Sequence, residues 1–440
     1  MPARRLDHHS RRFEITNELH ARPFMAIEAP GRVITLAFKQ EQNAQERDPE
    51  ADRAHLLSLI DRHGGAHPAP AANHYMADFG RFTMKWERHT EFVGYMAVET
   101  GPAEGLFGAD LIEHFPASWL DEAPGRVIAA VEIEIIRAEG GAAAEAMLVD
   151  GALGRSFHRE SLAMAHTLDG MALAAGDFRI QDGGFTRFAL VVHGDVGPRR
   201  IGRAVQRLIE IESYRSLAML ALPIARRSSA RLNEIDRELS DLIRVVADRR
   251  GERSEQEILD RLTGLSAEIE AMAASTAFRF GAARAYEAIV HERIAMMREE
   301  RILGRQLFSE FMLRRFDPAM RTVRATEGRL SGLATRASRI ADLLRTRVDV
   351  ALEAQNSRLL QSMDRRAALQ LRLQETVEGF SVVAISYYAV SLASYALAPL
   401  ATGWGLEKGE LVALITLPVL LGVAIFVRRI KRRVSDDASG

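Results

Sequence analysis

Two uncharged hydrophobic runs near the C-terminus, residues 380–406 and 411–427, constrain this chain more than anything else in it. Only Glu407, Lys408, Gly409 and Glu410 separate them. A bilayer core takes about 20 apolar residues of helix, so the first run is long enough to span, and the second is if Arg428 and Arg429 reach back to the interface. Charge-free runs of this length are uncommon in soluble cores, which disfavours the alternative of a buried helical hairpin. Arg365, Arg366 and Arg372 precede the first run and Arg428, Arg429, Lys431, Arg432 and Arg433 follow the second, whereas the connecting loop is net negative. The positive-inside bias then puts both termini in the cytoplasm, with the inner membrane crossed twice.

The rest of the chain is expected to be water-soluble. A length of 440 residues leaves room for two or three domains. Lys plus Arg (58) and Asp plus Glu (59) nearly cancel, so no broad electrostatic footprint for nucleic acid exists. The segment Met1 to Ser10 is charged and lacks an apolar core, so no secretory signal is expected and the soluble part stays in the cytoplasm. Cysteine is absent, which removes disulfides, thiolate nucleophiles and Cys-ligated metal sites and leaves His and carboxylates as candidate ligands.

Residues 1–198 read as an α+β domain. Alternating or β-branched runs at 32–38, 81–92, 127–136, 162–168 and 185–192 predict strands of a mixed or antiparallel sheet, punctuated by turns such as His63-Gly64-Gly65 and Gln181-Asp182-Gly183-Gly184. The Ala- and charge-rich segment 40–63 predicts a helix. After residue 198 strand formers thin out, and over 199–378 only Pro223 and Pro318 interrupt helical patterning. Leu330, Leu333, Ala337, Ile340, Leu344, Val348, Leu352, Leu359 and Met363 form an apolar stripe at helical spacing. Unbroken from Pro318 to the membrane, such a helix would be a stalk about 90 Å long. The alternative is two shorter helices with a break near Gly328 or Gly332. The expected plan is therefore an α+β cytoplasmic domain (1–198), a helical stalk (199–378), a two-span hairpin (379–428) and a basic tail (429–440).

No Walker loop, dinucleotide fingerprint, nucleophile elbow or His-Glu-x-x-His pair occurs, so an enzyme is not expected. Near the N-terminus Glu18, His20 and Arg22 would share one face of an extended segment, suited to an anion, a metal or a local salt bridge before Pro23. If 81–92 is one strand, period-two geometry puts Phe82, Met84, Trp86 and Phe92 on the core face. Arg81, Thr83, Lys85, Glu87, His89 and Glu91 then share the other face, with Glu87, His89 and Glu91 as a carboxylate-imidazole site or the row as a solvated charge ladder. On the first apolar helix Ser381, Tyr388, Ser391 and Tyr395 fall on one face, while Ser386, Ala389, Ala393 and Ala396 lie nearly opposite. The hydroxyl face suits either a pore lining or helix packing. One hairpin cannot cover it together with the stalk stripe, so a homo-oligomer is expected.

The chain resembles a bacterial family of uncharacterised membrane-anchored proteins, domain of unknown function 3422. Four segments carry the resemblance, and they span nearly the whole length. They are Asn17-Glu18-Leu19-His20-Ala21-Arg22-Pro23, Lys85-Trp86-Glu87-Arg88-His89-Thr90-Glu91-Phe92, the run from Val205-Gln206-Arg207-Leu208 through Glu210, Glu212, Tyr214 and Arg215, and Val377-Glu378-Gly379-Phe380 with the residues to Tyr388. The resemblance implies no known activity. The order of elements is also similar to that of CorA-type divalent-cation channels, which would imply a pentamer and a divalent cation as ligand or cargo. Those channels carry Gly-Met-Asn at the outer end of the first membrane helix, where this chain has Ala396-Leu397-Ala398-Pro399-Leu400 and onward to Gly405.

Overall fold

The computed structural model describes residues 7–18, 24–41, 47–102, 105–149, 151–247, 255–302, 304–403 and 407–437. It divides into two compact units, Met1–Ala341 and Asp342–Gly440.

The first unit is built on a nine-stranded sheet, counted among the described residues. Its strands are β1 (Gly31–Lys39), β2 (His74–Asp78), β3 (Thr83–Arg88), β4 (Phe92–Thr100), β5 (Arg126–Arg137), β6 (Ala163–Thr167), β7 (Ala172–Ile180), β8 (Thr186–Val192) and β9 (Glu300–Arg301). Their order is β2-β3-β4-β1-β5-β8-β7-β6-β9. Neighbours pair antiparallel except β5 with β8, which run parallel and join the two halves of the sheet. A parallel pair needs a long return connection, and here β6 and β7 lie within it.

Side-chain alternation along the strands feeds a core on each face, and three short helices, α1 (Arg12–Glu18), α3 (Ala117–Asp121) and α5 (Ala152–Arg155), flank the strands along the chain. On one face Ile34, Leu36 and Phe38 of β1 meet Trp86 and Tyr95 under helix α2 (Pro49–His63). On that same face, over the other half of the sheet, Leu173 and Val191 pack with Ala144 and Leu148 of helix α4 (Gly141–Val149). The opposite face carries Val33, Ile133, Phe188 and Leu190 against helix α6 (Pro198–Met219), helix α8 (Glu255–Met297) and helix α9 (Phe308–Arg315). Helix α6 turns a continuous stripe of Ile201, Val205, Leu208 and Ile211 into this core. Gly202 lets it approach closely, since a Cβ there would lie 1.8 Å from the Met25 carbonyl oxygen.

Several expectations are corrected. The segment 81–92 is not one strand: β3 ends at Arg88 and β4 begins at Phe92, with the His89 N–H donating to the Phe92 carbonyl at 2.9 Å across the turn. Trp86 is buried as expected, but Phe92 changes face and joins Ala37 and Leu217. The predicted helix 40–63 begins only at Pro49, because the Asp48 side chain caps it by accepting from the Glu50 N–H at 2.9 Å and Pro49 occupies the first turn. Strands β2, β7 and β9, and β4 beyond Phe92, lie outside the predicted runs. The chain after residue 198 stays in the same unit as the strands as far as Ala341, and α6, residues 221–225, residues 280–297 of α8, α9 and residues 316–323 share a core with the sheet.

Helix α10 (Asp317–Gly403) is continuous through Gly328 and Gly332. Its stripe is buried at Leu330, Leu333, Ala337 and Ile340 of the first unit, beside helix α7 (Ala221–Ala247), where Arg329 donates to Asn233 at 2.6 Å. In the second unit Val348, Leu352, Leu359 and Met363 of the same stripe are exposed. Helix α11 (Lys408–Asp437) completes that unit. Segments of α10 and α11 are long and apolar enough to cross a membrane, and only 6% of either apolar window is buried.

Candidate functional site

The inner face of the β3–β4 hairpin and the middle of α6 enclose a small cavity of about 50 Å³, room for a few water molecules. Lys85 and Glu87 enter it from β3, His89 from the turn, Thr35 from β1, and Gln206, Glu210 and Tyr214 from α6. Gly94 of β4 also lines it, and having no side chain leaves the space open. Period-two geometry explains the strand residues: with Trp86 turned into the opposite core, Lys85 and Glu87 must face α6.

A chain of polar contacts crosses the cavity. The Lys85 ammonium lies 3.0 Å from Glu87 Oε1 and 3.5 Å from Gln206 Oε1. Gln206 Nε2 donates to Glu210 at 3.0 Å, and Arg293 of α8 donates to the other Glu210 oxygen. Thr35 Oγ1 is buried without a protein partner, the usual mark of a group that bonds a small bound molecule or water. The His89 ring stacks on Phe92 with centroids 4.2 Å apart.

Glu91, expected beside Glu87 and His89, instead lies deeper and is 2% exposed. Its carboxylate accepts from Tyr286 Oη at 2.8 Å and from Arg279, and lies 3.9 Å from the Lys39 ammonium. Burial first, and then the bond to Glu91, raise the Tyr286 pKa, while burial first and Arg279 next lower that of Lys39. Aromatic contacts link this cluster to the cavity, since Tyr286 stacks on Tyr214 at 5.4 Å and Tyr214 meets Phe92 edge-on at 6.1 Å. Glu87 and His89 are thus brought to one cavity, whereas Glu91 belongs to a separate buried cluster joined to it by aromatic contacts. The side chain of Glu18, together with His20 and Arg22, lies outside the described residues.

Sequence reasoning put Lys85 on the face of Glu87 but missed Gln206 and Glu210 as partners of this site. The usable signal was the segment from Val205 to Arg215, a polar row on an otherwise apolar helix. The carboxylates that line the cavity, Glu87 and Glu210, each contact a cation, an arrangement that can hold a polar ligand through charge and hydrogen bonds. A second group, Glu287, His291 and Asp317, brings its donor atoms within 4.8 Å of one another. Arg324 binds both Glu287 oxygens, which makes this an ion network already supplied with its cation.

On the first apolar helix Tyr388 and Tyr395 are exposed and the Ser381 hydroxyl donates back to the Val377 carbonyl at 2.9 Å. Ser391 is half-buried, and its carbonyl accepts from Ser394 at 2.7 Å. Ser386, on the opposite small-residue face, is buried.

The fold and site define a class: an α+β unit with a polar cavity between sheet and helix, followed by long helices with apolar segments. More particularly, the chain belongs to the family described as protein of unknown function (DUF3422), which matches over residues 7–434. Two of the segments that carry the family resemblance, those beginning at Lys85 and Val205, are the two walls of the cavity. No curated protein and no solved structure matches the chain.

Proposed function

We propose that this is a membrane-anchored binding protein whose α+β unit works in the cytoplasm and whose two C-terminal apolar helices form a two-span hairpin in the inner membrane, both termini inside. The observation that carries this reading is the contrast in burial. Most large apolar residues of the first unit fill cores, with Phe13, Ile180 and Leu313 among the exposed exceptions, whereas Phe380, Val383, Leu392, Leu414, Leu417 and Phe426 each leave more than 60% of their surface exposed. Such side chains need hydrocarbon or protein around them. Basic residues on either side of the pair and the acidic loop between them support the orientation. Alkaline carbonate washing of membranes and C-terminal reporter fusions test it. Retention in the pellet with a cytoplasmic C-terminus is expected, and release by carbonate or a periplasmic C-terminus would overturn it.

The exposed stripe from Val348 to Met363 supports a homo-oligomer assembled along α10, with a pentamer as the CorA-like resemblance implies. A second reading follows from the same assembly: Ser381, Tyr388, Ser391 and Tyr395 would line a central path for a divalent cation. Exposure of both tyrosines favours it. The missing Gly-Met-Asn and the lack of charge in both spans weigh against it. Cation flux into liposomes, with Tyr388→Leu and Ser391→Leu as comparisons, separates the two. Flux abolished by both substitutions favours the channel, and none from an oriented oligomer favours the anchor.

A further inference from the structure

We propose that a second cavity, at the N-terminal half of α6, is a binding site for a phosphate-bearing ligand. It encloses about 330 Å³ and is lined by Arg200, Arg203, Arg207 and Arg298, with Asp169 as the one carboxylate. Asp169 is already used. Arg200 donates to its Oδ2 at 2.5 Å and Arg298 to its Oδ1 at 3.4 Å. Arg203 and Arg207, one helical turn apart, form no ion pair with any described residue. The cavity therefore presents two guanidiniums with donors to spare.

Three further observations point to an anion there. Helix α6 has no acidic residue in its first turn, so Arg199 and Arg200 crowd the positive end of the helix dipole, where cations are unfavourable and anions favourable. Burial first, then the neighbouring charges of Arg203, Arg293 and Arg298, lower the Arg207 pKa against the opposing pull of Glu210. That carboxylate is itself taken by Arg293 and Gln206. Finally, Leu168 (φ 54°), Asp169 (φ 60°) and Arg298 (φ 50°) are three of the five non-glycine residues with positive φ among the described residues, and all three line this cavity. Side-chain-bearing residues held in that region cost free energy and cluster at ligand sites.

The ligand class follows from the donors. Guanidiniums bind carboxylate and phosphate oxygens alike in a bidentate fork, but a phosphate brings three terminal oxygens and close to two negative charges, which match two free arginines better than the single charge of a carboxylate. The volume falls within the range of small-molecule sites and exceeds a bare phosphate, and Met297 supplies an apolar wall. A soluble phosphomonoester and the phosphate headgroup of a lipid share this chemistry. The site deepens the binding role proposed above, but it does not depend on membrane topology, so the two can fail separately.

The test uses the full chain in nonionic detergent, titrated calorimetrically with inorganic pyrophosphate, glycerol 3-phosphate and dihexanoyl phosphatidic acid. Saturable binding of at least one is expected, weakened about tenfold or more in both Arg203→Gln and Arg207→Gln. The conservative Arg207→Lys should recover part of the loss. Without ligand, Arg207→Gln should melt no lower than the parent, because it removes repulsion. Equal binding of glycerol 3-phosphate and the short-chain lipid supports a soluble ester, and preference for the lipid supports a headgroup. Absence of saturable binding of all three up to about 10 mM, or binding that survives both substitutions, would overturn the proposal.

Discussion

Glu91→Gln removes the carboxylate that, among the described residues, contacts Arg279 and Lys39, whose side chains are 11% and 8% exposed. The substitution preserves volume and deletes one charge, leaving two cations facing an amide. Arg279 cannot shed its proton at accessible pH, and its Nη1 is already buried without a partner. Breaking a buried pair from one side costs about 3–5 kcal/mol. At about 2 °C per kcal/mol for a unit of this size, the melting temperature should fall by about 6–10 °C. The fluorescence of Trp86 and Trp119, both buried in the same core, reports that transition in the purified full chain. Lys39 adds a second signature, because its folded pKa is lowered from 10.5 by burial and then by Arg279, with Glu91 opposing. Below the lowered folded value Lys39 is charged in both states and its penalty is full. As pH rises through that value the native state loses the proton first and stability increases. Without Glu91 the folded pKa drops further, so the variant's deficit should narrow as pH rises. A fall under about 1 °C, or a deficit that widens with pH, would refute the reasoning.

His55 should make stability fall on acidification. Its ring bonds Tyr95 Oη and the Trp119 carbonyl, each at 2.9 Å, and burial lowers its pKa below 6.5 more than that carbonyl and Asp52 raise it. Its contribution is complete above the unfolded value and is lost as pH falls through the folded one, so His55→Gln should flatten the acid limb of a melting-temperature profile. Gly202→Ala should destabilise by about 1–3 kcal/mol in urea melts. The same change at an open helical glycine stabilises, so an increase would show that α6 does not meet Met25 as described. Ser386→Ala should be tolerated because its buried Oγ has no partner, whereas Ser386→Leu should lower the melting temperature of the purified chain, since its side chain is already covered within one chain.

What was legible in the sequence followed from periodicity, and what was not followed from long-range pairing. Trp86 could be assigned to the core because Phe82, Met84 and Trp86 alternate with charge over several residues. The hairpin after it was hidden, since Arg88-His89-Thr90-Glu91 contains none of the Gly, Pro or Asn that usually mark a turn. Strand β7 begins Ala-Leu-Ala-Ala-Gly, poor strand formers that become a strand only because β6 and β8 pair on either side. Lys85 and Glu87 read equally well as a solvated ladder. What buries them is α6, whose Gln206 lies 121 positions away from Lys85, a distance no local pattern spans. The apolar C-terminal runs were legible because length and absence of charge suffice to identify them.

Helix α6 gathers most of what the α+β unit offers chemically, and its geometry limits how the two cavities can influence each other. Its apolar stripe is fixed in the core and Gly202 holds it against the Met25 backbone, so sliding along its axis would force a clash. Gln206 and Glu210 face one cavity while Arg200, Arg203 and Arg207 face the other. The link between them is Arg293, which binds Glu210 on one side and contributes to the repulsion felt by Arg207 on the other. An anion beside Arg207 would relieve that repulsion without moving the helix, leaving Arg293 more firmly held by Glu210. Coupling between the cavities is therefore expected to run through charge and side-chain rearrangement rather than through displacement of α6.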